Sequence, residues 1–207
     1  MAKETDIIRY INDLENPIIF DLENTFLYFP INKNAQTSIA RNLLKFRCIV
    51  KKDNEIVWNN YFMNNIINEE SLNKYYKFGI IRNPYAKFVS AYFHLGKIPG
   101  DLPEHDGGIN NFVDEFFSTE KFYHDNFQKQ KPMLYFNDVC MVDYIAKVET
   151  LNSDWKEIAD NIDCNPNLSK HNTSNHKAYE KHLTQKSMDF IKEYYKEDFE
   201  LCRELGY

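Results

Sequence analysis

The first 78 residues of the chain contain no glycine, and only six glycines occur in all 207 residues, at 79, 96, 100, 107, 108 and 206. Neither a G-x-G-x-x-G fingerprint nor a Walker A loop can be written from those positions, which sets aside the standard dinucleotide fold and the P-loop kinases. Any turn that holds an anion ahead of residue 79 must therefore be built from ordinary residues. Asparagine is plentiful in the chain, and its short amide tolerates left-handed backbone at turns.

A chain of this length can bury roughly 70% of its unfolded surface, so a single domain over residues 1–207 needs neither disulfides nor a structural metal. Acidic side chains outnumber basic ones by 31 to 25, a formal charge of −6, which argues against nucleic acid as a partner. A small anionic ligand is still admissible, because physiological salt screens fields over about 8 Å and leaves local charge in control. Cys48, Cys140, Cys164 and Cys202 show no C-x-x-C spacing and read as reduced thiols of a cytoplasmic protein. The six histidines have no ligand spacing, so no metal is expected. No signal peptide is expected from the charged opening residues, and the sequence holds no apolar run of about 20 residues.

Strands alternate with helices along the chain. Phe26 to Ile31 is a short apolar run of the kind buried on both faces of a sheet, and Pro30 marks its end. Thr37 and Ser38 follow, then Ile39, Leu43 and Phe46 at helical spacing. The same grammar returns with Phe78-Gly79-Ile80-Ile81, Arg82, and Asn83-Pro84 as N-cap and first helical residue. In that helix Tyr85, Val89 and Tyr92 are expected to be the buried stripe, which leaves Lys87, Ser90 and His94 on another face. A lid-like loop is expected over about 96–108, a helix over 109–117, and a third core strand over 144–148 with a helix over 151–162 behind it. A polar loop over about 165–178 precedes one closing helix marked by Met188, Ile191, Tyr195, Phe199 and Cys202. This order predicts an α/β fold with a central parallel sheet flanked by helices, whose ligands sit at the carboxyl ends of the strands.

Two anion sites are expected where those strand ends converge. The loop Asn32-Lys33-Asn34-Ala35-Gln36-Thr37-Ser38 offers backbone N–H groups at a helix start, two hydroxyls and a lysine, the equipment for a phosphate-like group. The junction at Arg82 offers a guanidinium suited to bidentate phosphate binding, with Ser90 further along the helix.

The segments Ile31-Asn-Lys-Asn-Ala-Gln-Thr-Ser38 and Ile81-Arg-Asn-Pro-Tyr-Ala-Lys-Phe-Val-Ser-Ala-Tyr92 resemble the two signatures of the family 2 type carbohydrate sulfotransferases, which use 3′-phosphoadenosine 5′-phosphosulfate (PAPS). The resemblance extends through His124-x-x-x-Gln128 and Asp143 to Leu151, and covers roughly residues 25 to 207. It is similar to the branch of bacterial polysaccharide sulfotransferases and the chondroitin and HNK-1 enzymes. Asn32, Gln36 and Lys87 stand where that family usually has proline, glycine and arginine. The resemblance implies a P-loop-kinase-like sulfotransferase fold. It also implies that Lys33, with Asn34, Ala35, Gln36, Thr37 and Ser38, holds the 5′-phosphosulfate, that Lys33 neutralises charge on the departing phosphate, and that Arg82 and Ser90 hold the 3′-phosphate. The product would be 3′,5′-ADP.

The attacking hydroxyl needs a base. His124 is the first candidate because it lies in a segment that matches the family. His94, His105 and the carboxylates of Asp53, Glu55, Glu69 and Glu70 are the alternatives, and His171, Asn172 and Ser174 match a polar segment of relatives that can touch a ligand. The expected function is sulfuryl transfer to a carbohydrate hydroxyl in the cytoplasm of a bacterium, at a membrane surface if the acceptor is lipid-linked. A kinase-like nucleotide enzyme and a silent module that binds PAPS or 3′,5′-ADP are the competing readings.

Overall fold

The computed structural model describes residues 19–21, 26–43, 49–50, 74–95, 108–118, 125–168 and 178–207. They sort into two compact units, Met1–Ile81 with Gln130–Asn172 and Arg82–Lys129 with Thr173–Tyr207. The fold is α/β, with a three-stranded parallel sheet and six α-helices among the described residues.

In the first unit the strands are β1 (Ile19–Asp21), β2 (Phe26–Phe29), β3 (Ile49–Val50), β4 (Tyr76–Ile81) and, later in the chain, β7 (Tyr144–Lys147). Their order in the sheet is β3-β1-β2-β4-β7. β2, β4 and β7 run parallel, with Tyr28 beside Phe78 and Phe78 beside Tyr144. β1 pairs antiparallel with β2 and β3, an edge that the sequence pattern did not predict. A strand's side chains alternate between faces, and Phe26, Tyr28, Phe78, Ile80 and Ala146 meet on one of them. The helices α1 (Gln36–Leu43) and α4 (Leu151–Asn161) cover that face with Ile39, Leu43, Trp155 and Ile158. Tyr28 and Phe78 stack across the pair with ring centroids 5.0 Å apart.

Gly79 belongs to the opposite face, and a Cβ added there would overlap the Leu134 side chain. The first glycine in the chain thus marks a close approach in the core and not a phosphate turn. β7 is held in register by Lys77 and Asp143. The Asp143 carboxylate accepts from the Lys77 ammonium and from its backbone N–H, both at 2.8 Å, and Lys77 O accepts from the Asp143 N–H at 2.8 Å. At the other end of β7, Asp154 accepts from the Lys147 N–H and from the Thr150 hydroxyl, each at 2.8 Å. A small hairpin of β5 (Tyr135–Phe136) and β6 (Val139–Cys140) turns at Asn137 and Asp138, with φ of 48° and 61°. Such a two-residue turn needs left-handed backbone at both positions, which Asn and Asp tolerate.

The second unit contains α2 (Pro84–Leu95), α3 (Gly108–Ser118), α5 (Gln185–Tyr194) and α6 (Lys196–Glu204). Phe88 is its centre, with Phe127, Phe116 and Phe112 rings at 4.9, 5.6 and 6.0 Å. Two expectations are corrected here. The closing helix is two helices, broken at Tyr195 (φ −97°, ψ 27°), although its apolar positions keep helical spacing throughout. Tyr195 is fully buried, and its hydroxyl donates to Phe127 O. The buried side of α2 also differs: Lys87, Phe88, Val89, Ser90 and Ala91 are buried, Tyr85 and Tyr92 are half-buried, and His94 is exposed. The aromatic rings of Tyr85 and Tyr92 pack at the edges of the core, at 4.7 Å from Phe199 and 5.2 Å from Phe112.

Candidate functional site

Between β2 and α1 the chain makes a tight turn over Asn32–Ala35. Lys33 has φ 70° and Ala35 φ 58°, so two residues with side chains occupy the left-handed region on either side of Asn34. Each such placement costs about 1–2 kcal/mol for a residue that carries a Cβ. Left-handed residues in a turn can aim neighbouring N–H groups at an anion, as in phosphate loops, but here the Asn34 N–H is taken by Ile31 O at 3.2 Å. The turn then feeds α1 directly. Ala35 O accepts from the Ser38 and Ile39 N–H groups at 2.9 and 3.1 Å, which starts the helix. The first N–H groups of any helix have no partner within it, and the helix dipole makes that end favourable for negative charge.

The side chains of this turn divide sharply. Lys33, Ala35 and Gln36 are half-buried, Thr37 is exposed and Ser38 is buried. Asn34 is 0% exposed. Its amide nitrogen donates to Ile80 O at 2.8 Å and to the Gln130 side-chain oxygen at 2.6 Å, and its N–H donates to Ile31 O at 3.2 Å. The Asn34 side chain therefore shapes the turn from within, while Lys33 and Thr37 lie at its accessible edge.

In the second unit α2 begins as its sequence predicts. The Asn83 side-chain oxygen accepts from the Tyr85 and Ala86 N–H groups at 3.0 and 3.3 Å, and Pro84 is the first helical residue. Arg82 and Asn83 are half-buried ahead of it, and Ser90 is 6% exposed. Lys33 to Ser38 and Arg82 with Ser90 thus fall in different compact units, each with its own local frame.

The model of the sulfotransferase family matches residues 16–202, nine-tenths of the chain and both of these turns. The chain belongs to the sulfotransferase family. It is accordingly a transferase of sulfuryl groups. No curated protein and no solved structure matches it.

One residue of this sulfotransferase has a position that its sequence does not announce. Lys87 stands where the family usually has arginine, yet it is 0% exposed, and its ammonium donates to Asn126 O at 2.9 Å and Gln128 O at 2.7 Å. Phe127 O between them accepts from Tyr195. Three consecutive carbonyls are thus captured by one buried cation and one buried phenol. Burial, with the nearby Tyr194 and Asp198, pushes the Tyr195 hydroxyl well above its ordinary pKa, which keeps it a neutral donor. The Lys87 ammonium also lies 5.8 Å from the Tyr195 ring centroid, a cation–π contact. Gln128, part of the segment that resembles the family, is therefore fixed through its backbone.

Of the candidate bases His94 alone is described, exposed in the last turn of α2. His124, His105, Asp53, Glu55, Glu69 and Glu70 lie outside the described residues, as do His171, Asn172, Ser174 and most of the expected lid at 96–108 and of the polar loop at 165–178. Among the described residues no helix is long and apolar enough to cross a membrane.

Proposed function

We propose that this sulfotransferase takes PAPS as donor and a carbohydrate hydroxyl as acceptor. The observation that carries the reading is the turn at Lys33–Ala35, where strained backbone, a helix start and a lysine coincide in the position of the family's first signature. Strain of this kind persists only where the surroundings over-determine it, and it clusters at sites that bind or react. The residues of this turn suit a phosphosulfate: the first N–H groups of α1, the Thr37 hydroxyl and the cationic side chain of Lys33. The donor supplies the activated sulfuryl group. Its transfer breaks one sulfur–oxygen bond and makes another, leaves 3′,5′-ADP, and releases one proton from the acceptor.

Lys33 holds the bridging oxygen's developing charge, the task that positioned cations perform in phosphoryl transfer. Arg82 and Ser90 take the 3′-phosphate, which distinguishes PAPS from plain adenylates. His124 takes the acceptor's proton. The reading is tested by incubating the protein with sulfur-labelled PAPS and a panel of neutral and anionic glycans, with γ-labelled ATP in parallel. Labelled sulfate on a glycan is expected. Label transferred from ATP would favour the kinase-like reading, and binding of 3′,5′-ADP with no labelled product from any glycan would favour a silent module.

A further inference from the structure

Asn34 is the one residue of the Asn32–Ala35 turn whose side chain is wholly buried. It is flanked on both sides by left-handed residues, and its nitrogen bridges two points remote in sequence, Ile80 O in β4 and the side chain of Gln130. Gln130 is itself 0% exposed. The Asn34 side-chain oxygen, by contrast, is buried with no hydrogen-bond partner among the described residues. A buried acceptor left unmade is destabilising, so a carboxamide kept at this position is explained by what its nitrogen holds.

Resting on the reading of this turn as the phosphosulfate site, we propose that Asn34 and Gln130 are positioning residues that hold the Lys33 backbone in its left-handed, anion-facing geometry. The two hydrogen bonds tie the turn to β4 and to Gln130, and so resist relaxation of Lys33 and Ala35 toward ordinary backbone. Asn34 acts through Lys33 and through the N–H groups beside it. Misplacing a reacting group by about 1 Å can lower a rate by about 10²-fold.

The test uses the full chain with Asn34→Leu, which keeps size and removes the donor, Gln130→Leu, which removes the acceptor, and Gln130→Glu, which retains an acceptor. Expected are a kcat lowered by about 10²-fold in Asn34→Leu, a smaller loss in Gln130→Leu, a partial recovery over Gln130→Leu in Gln130→Glu, whose buried carboxyl still accepts from Asn34, and far smaller changes in KM for PAPS. Hydrogen exchange of the Ser38 and Ile39 amides, which bond Ala35 O, is read in parallel and should quicken in Asn34→Leu. Unchanged exchange there, or equal kcat for Gln130→Leu and Gln130→Glu, overturns the proposal. If the parent transfers no sulfate while exchange still quickens in Asn34→Leu, the donor reading fails and the role of Asn34 in shaping the turn stands.

Discussion

Two of the three strand-to-helix turns of the parallel sheet, those after β2 and β4, do the same topological job by opposite means. After β2, the turn into α1 uses left-handed Lys33 and Ala35 and a buried amide anchored 46 and 96 residues away. After β4, the turn into α2 uses Asn83 as a local cap and Pro84 at the first helical position. The first stores backbone strain, and the second is relaxed. Strain belongs where charge must be met by preorganised donors, whereas a guanidinium on a flexible stem can find its anion from a relaxed turn. On the function proposed above, the first turn serves the chemistry and the second the recognition of the donor.

That division can be broken most sharply at Lys33. Lys33→Ala should lower kcat by about 10²–10³-fold, by analogy with the loss of one preorganised donor, as measured under saturating PAPS. A near-parental kcat would remove the first turn from the chemistry. Arg82→Ala should instead weaken binding, by about ten- to a hundred-fold if a charge-assisted contact of about 1.5–3 kcal/mol is lost, and more than Ser90→Ala does. Equal calorimetric affinities for those two variants would contradict the ranking.

Two stability measurements sharpen the contrast further. Asn83→Ala removes a cap that meets two N–H groups and should destabilise by about 1 kcal/mol in chemical denaturation. Ala35→Gly relieves left-handed strain and should stabilise by up to about 1 kcal/mol, the usual sign when a Cβ is removed at positive φ. A loss of stability in Ala35→Gly would mean that the first turn is not strained at that residue.

The relaxed turn was legible in the sequence because capping is local: Asn83 and Pro84 act on residues within one turn of themselves. The three parallel strands and the helices behind them were legible for the same reason, since apolar runs and periodicity are read from neighbours. Of the strained turn only the break between strand and helix was legible. Nothing near Lys33 and Ala35 announces their left-handed backbone, because the bonds that accompany it come from Ile80 and Gln130. Lys87 was misplaced for the same cause. A lysine reads as solvated until the carbonyls of Asn126 and Gln128 are known to converge on it. The break at Tyr195 is hidden by apolar spacing that continues across it, and Phe127, which accepts its hydroxyl, is 68 residues away. The hairpin at Asn137-Asp138 did carry a signal, a two-residue turn of types that tolerate positive φ between short apolar pairs.

The division between the turns is tested most directly by titrating 3′,5′-ADP and 5′-ADP into the parent protein, Lys33→Ala and Arg82→Ala by calorimetry. The parent and Lys33→Ala should both prefer 3′,5′-ADP, and Arg82→Ala should lose that preference. Equal binding of the two nucleotides by the parent, or a preference that survives in Arg82→Ala, would contradict the account.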